Sequence, residues 1–133
     1  MLVKENILIR EFENQKINYT PILLYGPNEG LVRENFNKIK KKFDLGNIEE
    51  LKYSGLLIRD QPDILIDEIN TVSMFHDQKI VVIENPVEKN VELFEELFLN
   101  LPDHLLFIVL ADNLTKTSKI RKFFENSTGC LSC

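Results

Sequence analysis

Thr20 to Tyr25, Lys79 to Glu84 and Leu105 to Leu110 are apolar runs with little or no alternation. Such runs predict strands buried on both faces, because a sheet with one wet face would show a period of two. Between them the period changes. From Glu29 to Phe43, the residues Leu31, Val32, Phe36, Ile39 and Phe43 recur as the apolar stripe of a helix, which Asp44-Leu45-Gly46-Asn47 ends. Val87 to Asn100 predicts another helix, with Val91, Phe94, Leu97, Phe98 and Leu101 on one face and Glu92, Glu95 and Glu96 in solvent. Residues 4–14 carry Ile7, Leu8 and Phe12 among charges, as a short amphipathic helix would. Glu49 to Ser54 reads as a short, partly polar strand and Gly55 to Asp60 as a connection. Thr117 to Phe124 predicts the last helix, and Thr128 to Cys133 a final short strand. Unbroken apolar strands alternating with helices predict a three-layer α/β domain whose parallel sheet is covered on both sides.

One segment supports two readings. Ile64-Leu65-Ile66-Asp67-Glu68 imitates a strand that delivers an Asp-Glu pair to magnesium and water. Alternatively, a helix starts near Gln61 and Pro62, where proline is tolerated in the first turn, and Leu65, Ile69 and Val72 share its face. The helix is the better reading, because the acidic pair would need a phosphate-bound metal to serve. The chain lacks the means to bind one. Ile22 to Arg33 runs from an apolar strand through Tyr25-Gly26-Pro27-Asn28-Glu29-Gly30 into a helix start, the layout of a phosphate-binding loop. A working loop ends in Gly-Lys-Ser/Thr, so that lysine reaches the terminal phosphates and the hydroxyl holds magnesium. Here Leu31 and Val32 follow Gly30. Gly26 and Gly30 therefore read as structural turn glycines of a degenerate loop. A weak nucleotide-binding enzyme using that turn with Asp67 and Glu68 is the alternative. A flavodoxin-like signalling domain is a third reading, but it calls for acids clustered at the strand ends, where only Glu84 and Asp112 stand.

Composition narrows the function classes. The 133 residues make one domain with a substantial core, and 44% hydrophobic residues with nine Phe argue against disorder. A net charge of −5 argues against the domain as a whole being an electrostatic nucleic-acid binder. Lys38, Lys40, Lys41 and Lys42 form the one basic cluster and read as a solvated helix face near a C-terminus. No apolar run reaches a membrane span, and the early charges of Lys4 and Glu5 do not fit a signal peptide, so a cytoplasmic protein is expected. Cys130 and Cys133 have the spacing of half a zinc or redox site, but there is no second pair and His76 and His104 are far apart. They read as small residues of a terminal strand. Neither a metal site nor a catalytic constellation stands out.

The order of motifs resembles the N-terminal domain of the delta subunit of the bacterial DNA polymerase III clamp loader. Four stretches carry the likeness: Ile22 to Arg33; Val72-Ser73-Met74-Phe75 followed by Asp77-Gln78-Lys79; Val81-Val82-Ile83-Glu84-Asn85; and Leu106 to Arg121. The resemblance implies an AAA+-like, P-loop NTPase-like fold with a degenerate phosphate loop and no cofactor. It implies a subunit with no ATPase activity of its own, which binds the sliding clamp and helps hold the ring open within the polymerase holoenzyme. Partners would be the clamp (beta subunit) and the gamma/tau and delta prime subunits, with DNA met only in the full complex. In the family a helical lid and a helical collar follow this domain; residues 1–133 would be the first domain alone. Carried over by position, Val72, Met74 and Phe75 would contact the clamp, with Met74 and Phe75 as the principal pair. By residue type alone they would read as core.

Overall fold

Among the described residues, five parallel strands form one sheet in the order β2-β3-β4-β1-β5: β1 Ile22–Leu24, β2 Ile48–Ser54, β3 Gln78–Glu84, β4 Leu105–Leu110 and β5 Leu131–Ser132. The computed structural model describes residues 21–43, 48–71, 78–99, 101, 105–112, 114, 117–126 and 131–132. Among the described residues five helices accompany the strands: α1 Glu29–Phe43, α2 Gly55–Asp60, α3 Pro62–Asn70, α4 Asn90–Leu97 and α5 Lys119–Asn126. The sheet is buried on both sides, as the unbroken apolar runs require. Leu23, Val81, Ile83, Phe107 and Val109 point to the face covered by α2 to α5, which supply Ile58, Leu65, Ile69, Phe94, Ile120 and Phe124. Ile22, Leu24, Ile80, Val82, Ile108 and Leu110 point to the opposite face, where Phe36 and Ile39 of α1 pack. The result is the three-layer α/β sandwich expected from the pattern.

The α2–α5 face is unusually aromatic. Phe94, Phe98, Phe107, Phe123 and Phe124 make a continuous cluster, with ring centroids from 5.0 Å (Phe98 to Phe107) to 6.3 Å (Phe94 to Phe124). Edge-to-face pairs of this kind contribute about 0.5–1.5 kcal/mol each beyond the area they bury.

Several expectations change. The segment Gly55–Asp60 is a helix rather than a connection; Ser54 caps it by accepting a hydrogen bond from Leu57 N–H at 3.1 Å. Six residues are too few to show a period, and Leu56 and Leu57 are exposed while only Ile58 and Gly55 are buried. Leu31 is 42% exposed and lies off the α1 stripe, because the helix turns Val32, Phe36 and Ile39 to the sheet and brings Asn35 inward. The fourth helix spans Asn90–Leu97, shorter than 87–100, since Val87 to Lys89 form a turn in which Val87 accepts from Asn90 N–H at 2.9 Å. Its apolar face is as expected, and Phe98 and Leu101 still pack on the core. The last helix begins at Lys119, with Ser118 Oγ accepting from Arg121 N–H. The proposed helix at 4–14, and Cys130, Cys133, His76 and His104, lie outside the described residues.

Candidate functional site

β1 continues into α1 on one face of the sheet, whereas β3 continues into α4 on the other. In an open α/β sheet, the crevice at such a divergence, beyond the carboxyl ends of the strands, is where ligands bind. Here the strand ends are laced together. Ala111 N–H donates to Leu24 C=O at 2.9 Å, Asn85 N–H to Leu110 C=O at 3.1 Å, and Gly26 N–H to Asp112 C=O at 3.3 Å. The degenerate loop then enters α1 through Asn28, whose Oδ1 accepts from Leu31 N–H at 3.1 Å. That bond occupies one of the free amides a phosphate would use. Glu29, in the first turn, places a carboxylate at the positive end of the helix dipole.

The crevice has a volume of about 100 Å³ and is lined by Glu29, Val32, Arg33, Glu84, Asn85, Leu110, Ala111 and Asp112. Space of that size holds water and falls short of the roughly 300 Å³ at which small-ligand sites begin. Arg33 Nη1 donates to Glu84 Oε1 at 3.2 Å, so the one cation that the described residues place on the wall is committed to an acid. Glu29, Glu84 and Asp112 outnumber it. Gly26 borders the turn, but Gly30 faces away, lining a shallow outer groove with Arg33, Glu34, Asn37, Lys38 and Lys41. Asp67 and Glu68 are not at the crevice at all. They belong to α3, where Leu65 and Ile69 are buried, so the helical reading of this segment holds. Among the described residues, no group of three or more His, Cys, Asp or Glu side chains is placed to hold a metal ion.

The basic cluster on α1 is partly neutralised: Lys38 pairs with Glu34 at 3.5 Å, and Lys40 pairs with Glu50 of β2. Lys41 is exposed, as a solvated face predicts.

The second locus is the junction between α3 and β3. Val72, Met74 and Phe75 lie outside the described residues, but both roots of that segment are described. At the α3 end, Thr71 Oγ1 donates to Asp67 C=O at 2.6 Å. At the β3 end stands Lys79, 1% exposed, with its ammonium against Glu68 and Thr71. Nearby, burial, followed by the charges of Glu68 and Glu49, pushes the Tyr53 phenol above its ordinary value. In the sequence Lys79 stands as the first residue of a strand and closes the Asp77-Gln78-Lys79 stretch of the family resemblance, with no role of its own. The available signal was a lysine opening an otherwise apolar run.

A family model described as DNA polymerase III, delta subunit, matches residues 22–133. The chain belongs to this family. Among solved structures it is similar to the Bacillus subtilis DNA clamp loader delta protein, with a TM-score of 0.68 and 16% identity over 98% of this chain and 42% of that one. It is also similar to a DNA polymerase III gamma subunit-related protein from Thermotoga maritima, with a TM-score of 0.55 and 17% identity over 90% of this chain and 44% of that one. At such identities the likeness is one of fold. This delta-family chain spans less than half the length of either structure. No curated protein matches its sequence. Among the described residues, no helix is long and apolar enough to cross a membrane.

Proposed function

We propose that this chain is the N-terminal, AAA+-like domain of a clamp-loader delta subunit, acting in the cytoplasm as a protein-binding component without ATPase activity of its own. The observation that carries this reading is the crevice at the strand ends. In a member of the delta-subunit family, the place where a P-loop protein seats its nucleotide is small, acid-lined and bridged by Arg33 and Glu84. Added phosphates would meet three carboxylates and a capped helix end, with no free cation among the described residues of the wall to offset them.

Binding then falls to the segment after α3. Val72, Met74 and Phe75 engage an apolar pocket of the sliding clamp, and the domain helps hold the ring open beside the gamma/tau and delta prime subunits. DNA is met only in that assembly. Fully burying each of Met74 and Phe75 contributes about 1.5–3 kcal/mol, so losing both weakens binding by roughly 10²–10⁴-fold.

Gel filtration of the chain with its cognate clamp tests the reading. A stable complex, or a ring opened to monomers, is expected. Replacing Met74 and Phe75 together by Ala is expected to abolish the effect while the far-UV circular dichroism stays native. Undiminished binding by that double variant would show that the contact lies elsewhere.

A further inference from the structure

Lys79 is a cation where the pattern of β3 calls for an apolar residue. Its neighbours along the same face, Val81 and Ile83, are fully buried, and Lys79 is buried with them. An ammonium in such surroundings is costly unless its N–H groups are all used. An ammonium has three donors, and this one uses three. It donates to Glu68 C=O at 2.9 Å, to Thr71 C=O at 2.9 Å and to Glu68 Oε1 at 3.3 Å.

The acceptors explain why the cost is tolerated. Glu68 sits in the last turn of α3, and Thr71 is the residue that ends it. Helix ends leave carbonyls without intrahelical partners and carry partial negative charge, so a cation from outside the helix satisfies both demands. The cation comes from the strand on the far side of residues 72–77. The chain leaves α3 at Thr71, whose carbonyl Lys79 holds, and returns at Gln78, the residue before Lys79. One ammonium therefore ties the two roots of a six-residue segment together.

We infer that Lys79 is a positioning residue for clamp recognition: by fixing the distance and direction between Thr71 and β3, it sets the ends from which Met74 and Phe75 reach the partner. This rests on the reading of 72–77 as the clamp contact. The gain is preorganisation, since ends already held together spare part of the ordering cost that binding would otherwise incur. An apolar residue at 79 would pack equally well in the sheet but would leave the end of α3 free to splay.

The test is a titration of the 133-residue chain against its cognate sliding clamp, comparing the parent with Lys79→Met, Glu68→Gln, the Met74/Phe75 double alanine variant, and Phe124→Leu as a destabilised control remote from α3. Lys79→Met keeps the buried stem and removes the three bonds. It is expected to weaken binding about tenfold, which is about 1.4 kcal/mol. Glu68→Gln keeps both carbonyl contacts and is expected to stay within about twofold of the parent. Phe124→Leu, although less stable, is expected to bind as the parent does. Amide hydrogen exchange should quicken from Thr71 to Gln78 in Lys79→Met and stay unchanged across Leu105–Leu110. If Lys79→Met binds like the parent while the double variant does not, positioning by Lys79 is overturned and the clamp reading stands. If the double variant binds normally, both are overturned. Should Lys79→Met lack a native spectrum, Lys79→Gln takes its place. It retains two donors and is expected to lose affinity several-fold; unaltered affinity would overturn the proposal.

Discussion

Gly55 stands where two turns at the carboxyl edge of the sheet meet. A Cβ there would lie 2.4 Å from Asn85 C=O, 2.7 Å from Pro86 Cα and 2.8 Å from Asn90 Oδ1. Two of those neighbours are backbone, and Asn85 already holds a left-handed conformation at φ 52, so the turn cannot step aside cheaply. Asn90 completes the junction from a position 1% exposed: Nδ2 donates to Gly55 C=O at 3.0 Å, and Oδ1 accepts from Val87 N–H at 2.8 Å. Gly55→Ala is therefore expected to cost about 1–3 kcal/mol through overpacking, read from urea unfolding. Asn90→Ala, which strands a buried donor and a carbonyl, is expected to cost on the order of 2 kcal/mol by the same measurement. Asn35 is the contrasting case, a buried amide on α1 whose Oδ1 has no hydrogen-bond partner among the described residues.

Among elements, α5 is held to the end of β1 by charge as well as by Phe124. Arg121 Nε donates to Glu125 Oε1 at 2.9 Å, Tyr25 OH donates to the same oxygen at 3.2 Å, and the Arg121 guanidinium lies 5.2 Å from the Tyr25 ring centre. Arg121 Nη1 also donates to Leu114 C=O at 3.0 Å, which ties in the chain after β4. The hydrogen bond from Arg121, more than any other favourable contact, holds the Glu125 carboxyl below its ordinary value of 4.5. A carboxylate lowered in the folded state adds stability that is complete above the unfolded value and disappears as pH falls through the folded one. The melting temperature of the parent should therefore drop more steeply between about pH 5 and pH 3 than that of Glu125→Gln. A parallel pair of curves would remove Glu125 from the acid response. For α2, Ser54→Ala removes the one side-chain cap and should cost about 1 kcal/mol in the same thermal unfolding series.

At the scale of the whole molecule, the proposed function leaves the crevice without a ligand and gives binding to the segment between α3 and β3. Titration of ATP into the chain by calorimetry should give no binding heat with or without magnesium; measurable heat would restore the nucleotide-binding alternative. Much of this was legible in the chain itself. Unbroken apolar runs at β1, β3 and β4 dictate a sheet buried on both faces, because no other arrangement hides both sets of side chains. The absence of lysine after Gly30 and the helical spacing of Leu65 and Ile69 were equally plain, since each is a matter of residue type and period within a dozen positions. What spacing could not reveal depended on residues far apart in the chain. The turn of α1 that exposes Leu31, the pairing of Arg33 with Glu84 and the meeting of Gly55 with Asn85 arise only once the strands take the order β2-β3-β4-β1-β5. Lys79 belongs with them: a lysine opening a strand looks like a solvated end until α3 folds over it, and burial then obliges its ammonium to take the helix carbonyls as partners.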